Sequence, residues 1–265
     1  MNITVEFKGL NEVIANMNDL AKTQVPYAVM KALNKVSQDV KDAEVKQMPQ
    51  SFDRPTSYTL NSLYIKYATK SNLSSELGYK DKSQAGKGNP AANWMQPEVE
   101  GGQRNTKRFE VALQRIGVLP KGMYVAPGAA CQLDAYGNIP AGLIVQILSY
   151  FQAFGEQGYR ANITDKRKAA LAKGSKRTMK AGYEYFVSYG KGTRSGQQHL
   201  PAGIYKRVSL IGQGSIKPIM MFVKAPSYQK RFPFYEIAQK TINQMLLPRF
   251  DEAMKEALLT MKRTG

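Results

Sequence analysis

Each end of the chain carries an apolar stripe at helical spacing, and these two stripes constrain the fold most. Near the start, Val29, Leu33, Val36, Val40 and Ala43 fall at steps of four and three, on one face of a helix. Pro26 suits the first turn of that helix, where its missing N–H would be unpaired anyway. Pro49 predicts an end near Gln47. Ahead of it Ile3, Val5 and Phe7 alternate as a short strand. After Gly9, Leu10, Val13, Ile14, Met17 and Leu20 predict a short amphipathic helix. Towards the other end, Ile237, Ala238, Ile242, Met245 and Leu246 point inward from a helix over 234–247. Pro248 breaks or kinks it before Phe250, Met254, Ala257, Leu258 and Met261 continue the stripe.

Strand patterns lie between. Leu63, Ile65 and Tyr67 alternate with polar neighbours, as do Leu73, Ser75, Leu77 and Tyr79, and Lys70-Ser71-Asn72 between them is turn chemistry, so a hairpin is expected. Residues 81–106 are rich in Gly, Asn, Gln and Pro and read as an irregular excursion, leaving Trp94, the single tryptophan, in need of a surface to pack on. Phe109, Ala112, Leu113 and Ile116 mark a helix ended by Gly117. A Pro/Gly-rich stretch runs from Leu119 to Gly142, and Leu143, Ile147, Tyr150, Phe151 and Phe154 mark the next helix, closed by Gly155 and Gly158. Later strands are expected at 184–189, 204–210 and 219–224, the last nearly all apolar and so central in its sheet. No repeat emerges. This order predicts an α+β fold, an antiparallel sheet packed against long N- and C-terminal helices, with a helical and irregular central insertion. The expected divisions are 1–80 and 183–265 for the two parts of the core and 81–182 for the insertion.

One cysteine, Cys131, and one histidine, His199, exclude an internal disulfide and a zinc site built only from Cys and His ligands. Neither has a partner that the sequence can name. Asp39, Asp42, Glu44 and Lys46 are the nearest approach to a magnesium site, but on a helix Glu44 points away from Asp39 and Asp42. The run Gly190–Gly196 lacks the spacer and the following helix of a phosphate-binding loop and reads as a hairpin tip; Gly212-Gln213-Gly214 is a turn. No catalytic residue, metal or cofactor is expected. The opening residues lack the apolar core of a secretory leader, and the longest apolar stretch, 141–154, is too short to cross a bilayer, so no membrane partner is expected.

The chain carries 38 Lys+Arg against 20 Asp+Glu, a net charge of +18. The excess lies beyond residue 80: the net charge is +2 over 1–80 and +8 over each of 81–182 and 183–265. The densest window holds Arg160, Lys166, Arg167, Lys168, Lys173, Lys176, Arg177 and Lys180 against Asp165 alone. Such a cluster could neutralise nucleic-acid phosphates or meet an acidic protein surface. No aromatic residue lies between Ala161 and Gly182, so the window lacks the stacking platforms of a single-strand binder.

Taken together, the two ends resemble a family. VEFKGLNEVIANMNDL followed by QVPYAVMKALNKVSQDVKDAEVKQMP is similar to the opening of phage minor tail proteins of the lambdoid protein Z type, within the wider group of head–tail joining and tail-completion proteins. The shared cues are a short strand, a Gly-Leu turn, and a long helix with Ala32-Leu33-Asn34 at its core. The close, KPIMMFVKAPSYQKRFPFYEIAQKTINQMLLPRFDEAMKEAL, resembles the family's ending. The likeness covers 1–80 and about 183–265; the centre matches nothing nameable. It implies a structural virion protein of the tail or neck, made in the host cytoplasm, not an enzyme. It also implies a homo-oligomeric ring, a hexamer or dodecamer, meeting tail-tube or terminator and head-connector proteins, with non-specific contact to channel DNA. The basic window and Trp94 are then the candidate partner-binding residues. The alternative is a nucleic-acid-binding protein, with a metal-dependent nuclease as its catalytic form.

Overall fold

A computed structural model describes residues 1–7, 19–83, 89–155, 161–175, 180–190, 199–210 and 213–264. In chain order its elements are β1 (Asn2–Glu6), α1 (Asp19–Ser51), α2 (Ser57–Leu60), β2 (Leu63–Lys66), β3 (Ser74–Tyr79), α3 (Ala91–Glu100), β4 (Gly102–Gln103), α4 (Arg108–Arg115), β5 (Tyr124–Pro127), α5 (Ala141–Tyr150), α6 (Asp165–Lys173), β6 (Gly182–Ser188), β7 (Gly203–Leu210), β8 (Gln213–Val223), β9 (Ser227–Tyr228) and α7 (Phe234–Thr264). The fold is α+β, with antiparallel sheets between long N- and C-terminal helices. It divides into two compact units, Met1–Gly102 with Tyr228–Gly265, and Gln103–Ser227.

The first unit is built on the two long helices. Lys31 pairs with Glu256, Lys35 with Glu252 at 2.9 Å and Asp39 with Arg249 at 2.7 Å, so α1 and α7 run antiparallel. Ala28 and Ala32 meet Ala253 and Ala257, all four fully buried, and their small side chains let the helices approach closely. The apolar face of α1 (Val25, Val29, Leu33, Val36, Val40, Met48) covers a three-stranded sheet of order β1-β3-β2. Leu63 opposes Tyr79 and Ile65 opposes Leu77 in an antiparallel pair, which is the expected hairpin. Asn34 ties helix to hairpin: its side chain donates to the Ala68 carbonyl at 3.1 Å and accepts the Ala68 N–H at 2.7 Å.

Both expected ends of the first long helix move. It starts at Asp19, with Pro26 inside it, and runs past Pro49 to Ser51. Each proline deletes one ladder bond, but the continuous buried face outweighs that loss. Pro49 lies in the last turn, where Phe52 N–H still reaches the Met48 carbonyl at 2.9 Å. Pro248 is likewise absorbed within α7. Leu258, expected inward, is exposed. The excursion at 81–106 contains the ten-residue α3, whose Ala91, Met95 and Val99 recur every four residues and are buried. The short helix expected over 10–20 falls mostly outside the described residues.

The second unit holds a four-stranded antiparallel sheet of order β5-β8-β7-β6. The apolar strand β8 is internal, as its composition predicts, and Ile147, Leu148 and Tyr150 of α5 join its core. β5 arises inside the Pro/Gly-rich stretch: four residues are too few to show a period, yet Val125 pairs with Phe222 on β8. That pairing groups β6, β7 and β8 with the chain's centre, whereas 183–265 was expected to join 1–80 as one core. The helix expected to run on to Gly155 stops at Tyr150, and Gln152 turns the chain with φ 57°. No helix among the described residues is long and apolar enough to cross a membrane.

Candidate functional site

Four basic residues of the charged window share the nine-residue helix α6. Thr164 opens it, its hydroxyl accepting the Arg167 N–H at 3.3 Å. Gly174 closes it at φ 68°. A Cβ at Gly174 would strike the Gly182 nitrogen, and one at Gly182 would strike the Ala172 carbonyl. These two glycines let the end of the helix settle on the first residue of β6. Lys180 reaches back through a bridge to Ser175, with bonds of 2.9 and 3.0 Å. Residues 165–175 are therefore a capped, docked element.

The cations on α6 are not equivalent. Lys168 is half-buried, lies 5.6 Å above the Tyr150 ring and sits 3.4 Å from Asp165. Lys166, Arg167 and Lys173 face solvent and form no ion pair among the described residues. Arg160, Lys176 and Arg177 lie outside the described residues, as does all but Gly190 of the Gly190–Gly196 run expected to be a hairpin tip; the strands before and after that run, β6 and β7, pair antiparallel. Trp94 lies on α3 in the first unit, half-buried, its ring 6.1 Å from that of Tyr58. It packs on its own unit.

Two buried carboxylates do structural work that the sequence did not reveal. Glu110 of α4, fully buried, takes a two-pronged ion pair from Arg104 at 2.6 and 2.8 Å, the Lys107 N–H at 2.6 Å and the Val125 N–H at 2.9 Å. Burial pushes its pKa up, but these donors outweigh burial and hold it below the ordinary range. Arg104 also stacks 4.6 Å over the Tyr124 ring, so one carboxylate fixes the loop, the helix and the start of β5. Glu44 of α1 is the reverse case, fully buried, and among the described residues neither of its oxygens has a hydrogen-bond partner. Burial first, then the charge of Glu236, raises its pKa to about 9, so at neutral pH it is a protonated, neutral side chain.

Asp39, Asp42 and Glu44 do not converge on a common point. Asp39 pairs with Arg249, Asp42 accepts from Gln38 at 2.7 Å, and Glu44 points into the core. Among the described residues no three His, Cys, Asp or Glu side chains come together to hold a metal ion. His199 is exposed, and Cys131 is half-buried, its thiol raised above its ordinary pKa by burial. A row that the sequence reading passed over, Tyr185-Lys206-Lys217, crosses three strands of the second sheet. Its signal was a lysine at an alternating position between Ile204 and Val208.

Residues 7–138, about half of the chain, match the family model described as prophage minor tail protein Z (GPZ). The chain belongs to this family. No curated protein and no solved structure matches it. As a minor tail protein Z family member it is a structural protein of the phage tail and a virion component. The match takes in 81–138, which the sequence reading set apart as an insertion, and stops short of 183–265, which that reading counted within the likeness. The Ala32-Leu33-Asn34 cue has a physical basis: Ala32 and Leu33 are fully buried and Asn34 holds the backbone of Ala68.

Proposed function

We propose that this minor tail protein completes the top of the tail tube, where copies close into a ring and present a surface to the head connector. The observation that carries this reading is the family match over 7–138. Head-to-tail contacts between identical subunits close into rings when the rotation allows, and a ring around a channel suits a tail end. The exposed cations of α6, Lys166, Arg167 and Lys173, with Arg160, Lys176, Arg177 and Lys180 along the chain, are its proposed contact to a neighbouring tail or connector protein. Trp94, half-covered by Tyr58, is a second contact candidate. Assembly, not bond-making, is the proposed activity.

The test is a phage lacking the chain. Tails of normal length that fail to join filled heads are the expected product, and joining at the normal rate would overturn the reading. The net charge of +18 favours one rival, a nucleic-acid-binding protein. Duplex affinity that falls steeply with salt, in a protein that stays monomeric and absent from tails, would establish that rival instead.

A further inference from the structure

A recess of about 370 Å³ opens in the second unit beside the Tyr185-Lys206-Lys217 row. That volume is at the small end of the ~300–1,000 Å³ range of binding pockets. Lys206 on β7 and Lys217 on β8 are direct cross-strand partners, so two lysine side chains rise side by side from one face of the sheet. Like charges directly opposite are destabilising unless something negative lies between them. Among the described residues no carboxylate lines the recess: Glu184, the nearest along β6, points the other way and pairs with Arg207 at 2.5 Å. The Lys206 ammonium sits 4.2 Å over the Tyr183 ring, a cation–π contact that positions it at the recess. Burial and the charge of Lys217 both push the Lys206 ammonium below its ordinary pKa, as expected for a cation short of a counter-charge. The rest of the lining is mixed, with Leu143 and Ile219 apolar and Gln132 and Gln146 polar.

We propose that this recess binds an acidic segment of a neighbouring protein, one carboxylate lying between Lys206 and Lys217 and an adjacent apolar side chain resting on Leu143 and Ile219. The choice of a protein partner rests on the proposed structural role; the paired cations do not. Duplex DNA fits less well, because its phosphates would satisfy the lysines and leave the apolar wall bare. The assay is fluorescence anisotropy of the full chain with a labelled octapeptide of alternating Glu and Leu, a Gln-for-Glu copy, and a short DNA duplex. The acidic peptide is expected to bind, the Gln copy at least tenfold more weakly. Lys206→Gln with Lys217→Gln should weaken the acidic peptide at least tenfold and leave duplex binding unchanged. Equal peptide binding by that variant overturns the proposal, and so does a loss confined to the duplex, which would make the recess a phosphate site. Should the variant not fold, carbodiimide coupling of the peptide to the unaltered protein decides: isopeptide bonds at Lys206 or Lys217 support the site, and bonds only elsewhere refute it. Because the isolated protein is used, either outcome stands whether or not the chain is later found in finished tails.

Discussion

Glu44 and Glu110 are both buried glutamates, and their surroundings give them opposite titrations. Glu110 meets four donor contacts and stays charged; Glu44 meets none and stays protonated to about pH 9 in the fold, against an ordinary value of 4.5. Between those two values the folded state holds a proton that the unfolded chain releases, so stability falls as the pH rises through the window. The slope approaches ~1.4 kcal/mol per pH unit where the difference is complete. Glu44→Gln keeps the neutral shape and removes the titration. It should melt like the parent in mild acid and well above it at about pH 8.5; melting temperatures that track the parent across that range would refute the assignment. Glu110→Ala should act differently, stranding Arg104 and two backbone N–H groups and costing ~3–5 kcal/mol in denaturant unfolding near neutral pH. A cost below about 1 kcal/mol would mean that water replaces the carboxylate, as at an exposed pair.

At the scale of elements, the α1–α7 pair depends on its four alanines. Ala257→Leu puts three extra carbons where Ala28 and Ala32 already fill the gap, and overpacking of that kind costs ~1–3 kcal/mol. Chemical denaturation should show this loss, whereas Leu258→Ala, one position on and exposed, should change little. Long periodic elements were legible in the sequence for a physical reason: α1 and α7 each repeat their burial often enough to average over exceptions, while the end of β8 showed as the apolar run Ile219–Val223. What the sequence hid is of three kinds. Pro26, Pro49 and Pro248 looked like boundaries because a proline costs one local bond, while tertiary burial along the whole face decides. β5 is too short for a period and exists because β8 offers it an edge. The grouping of β6 to β8 with the centre depends on strand pairing between distant residues, which no local pattern encodes. The candidate site was half legible: charge density marked α6, but its division into the tethered Lys168 and the outward Lys166, Arg167 and Lys173 needed Tyr150 and Asp165 in place.

For the whole molecule, a net charge of +18 sets self-assembly against attachment to a partner. Copies closing into a ring bring like charges together, and added salt screens that repulsion over a Debye length of ~8–10 Å, so ring formation should be promoted as ionic strength rises. Docking of α6 on an acidic neighbour is an attraction between opposite charges and should weaken over the same range. The two proposed contacts therefore separate in one salt series, with mass photometry reporting the ring and co-sedimentation with purified tails reporting the docking. Lys166→Ala with Arg167→Ala and Lys173→Ala removes three solvent-facing cations that form no ion pair among the described residues. It should leave the melting temperature within about 5 °C, since surface changes of this kind stay within ~0.5 kcal/mol each and ~1 kcal/mol moves the midpoint by ~2–4 °C. The same variant should form rings at lower salt than the parent, because its subunits repel less, yet bind tails more weakly at every ionic strength. Tail binding that matches the parent while ring formation shifts would remove α6 from the docking surface and leave its charge as a brake on self-association alone.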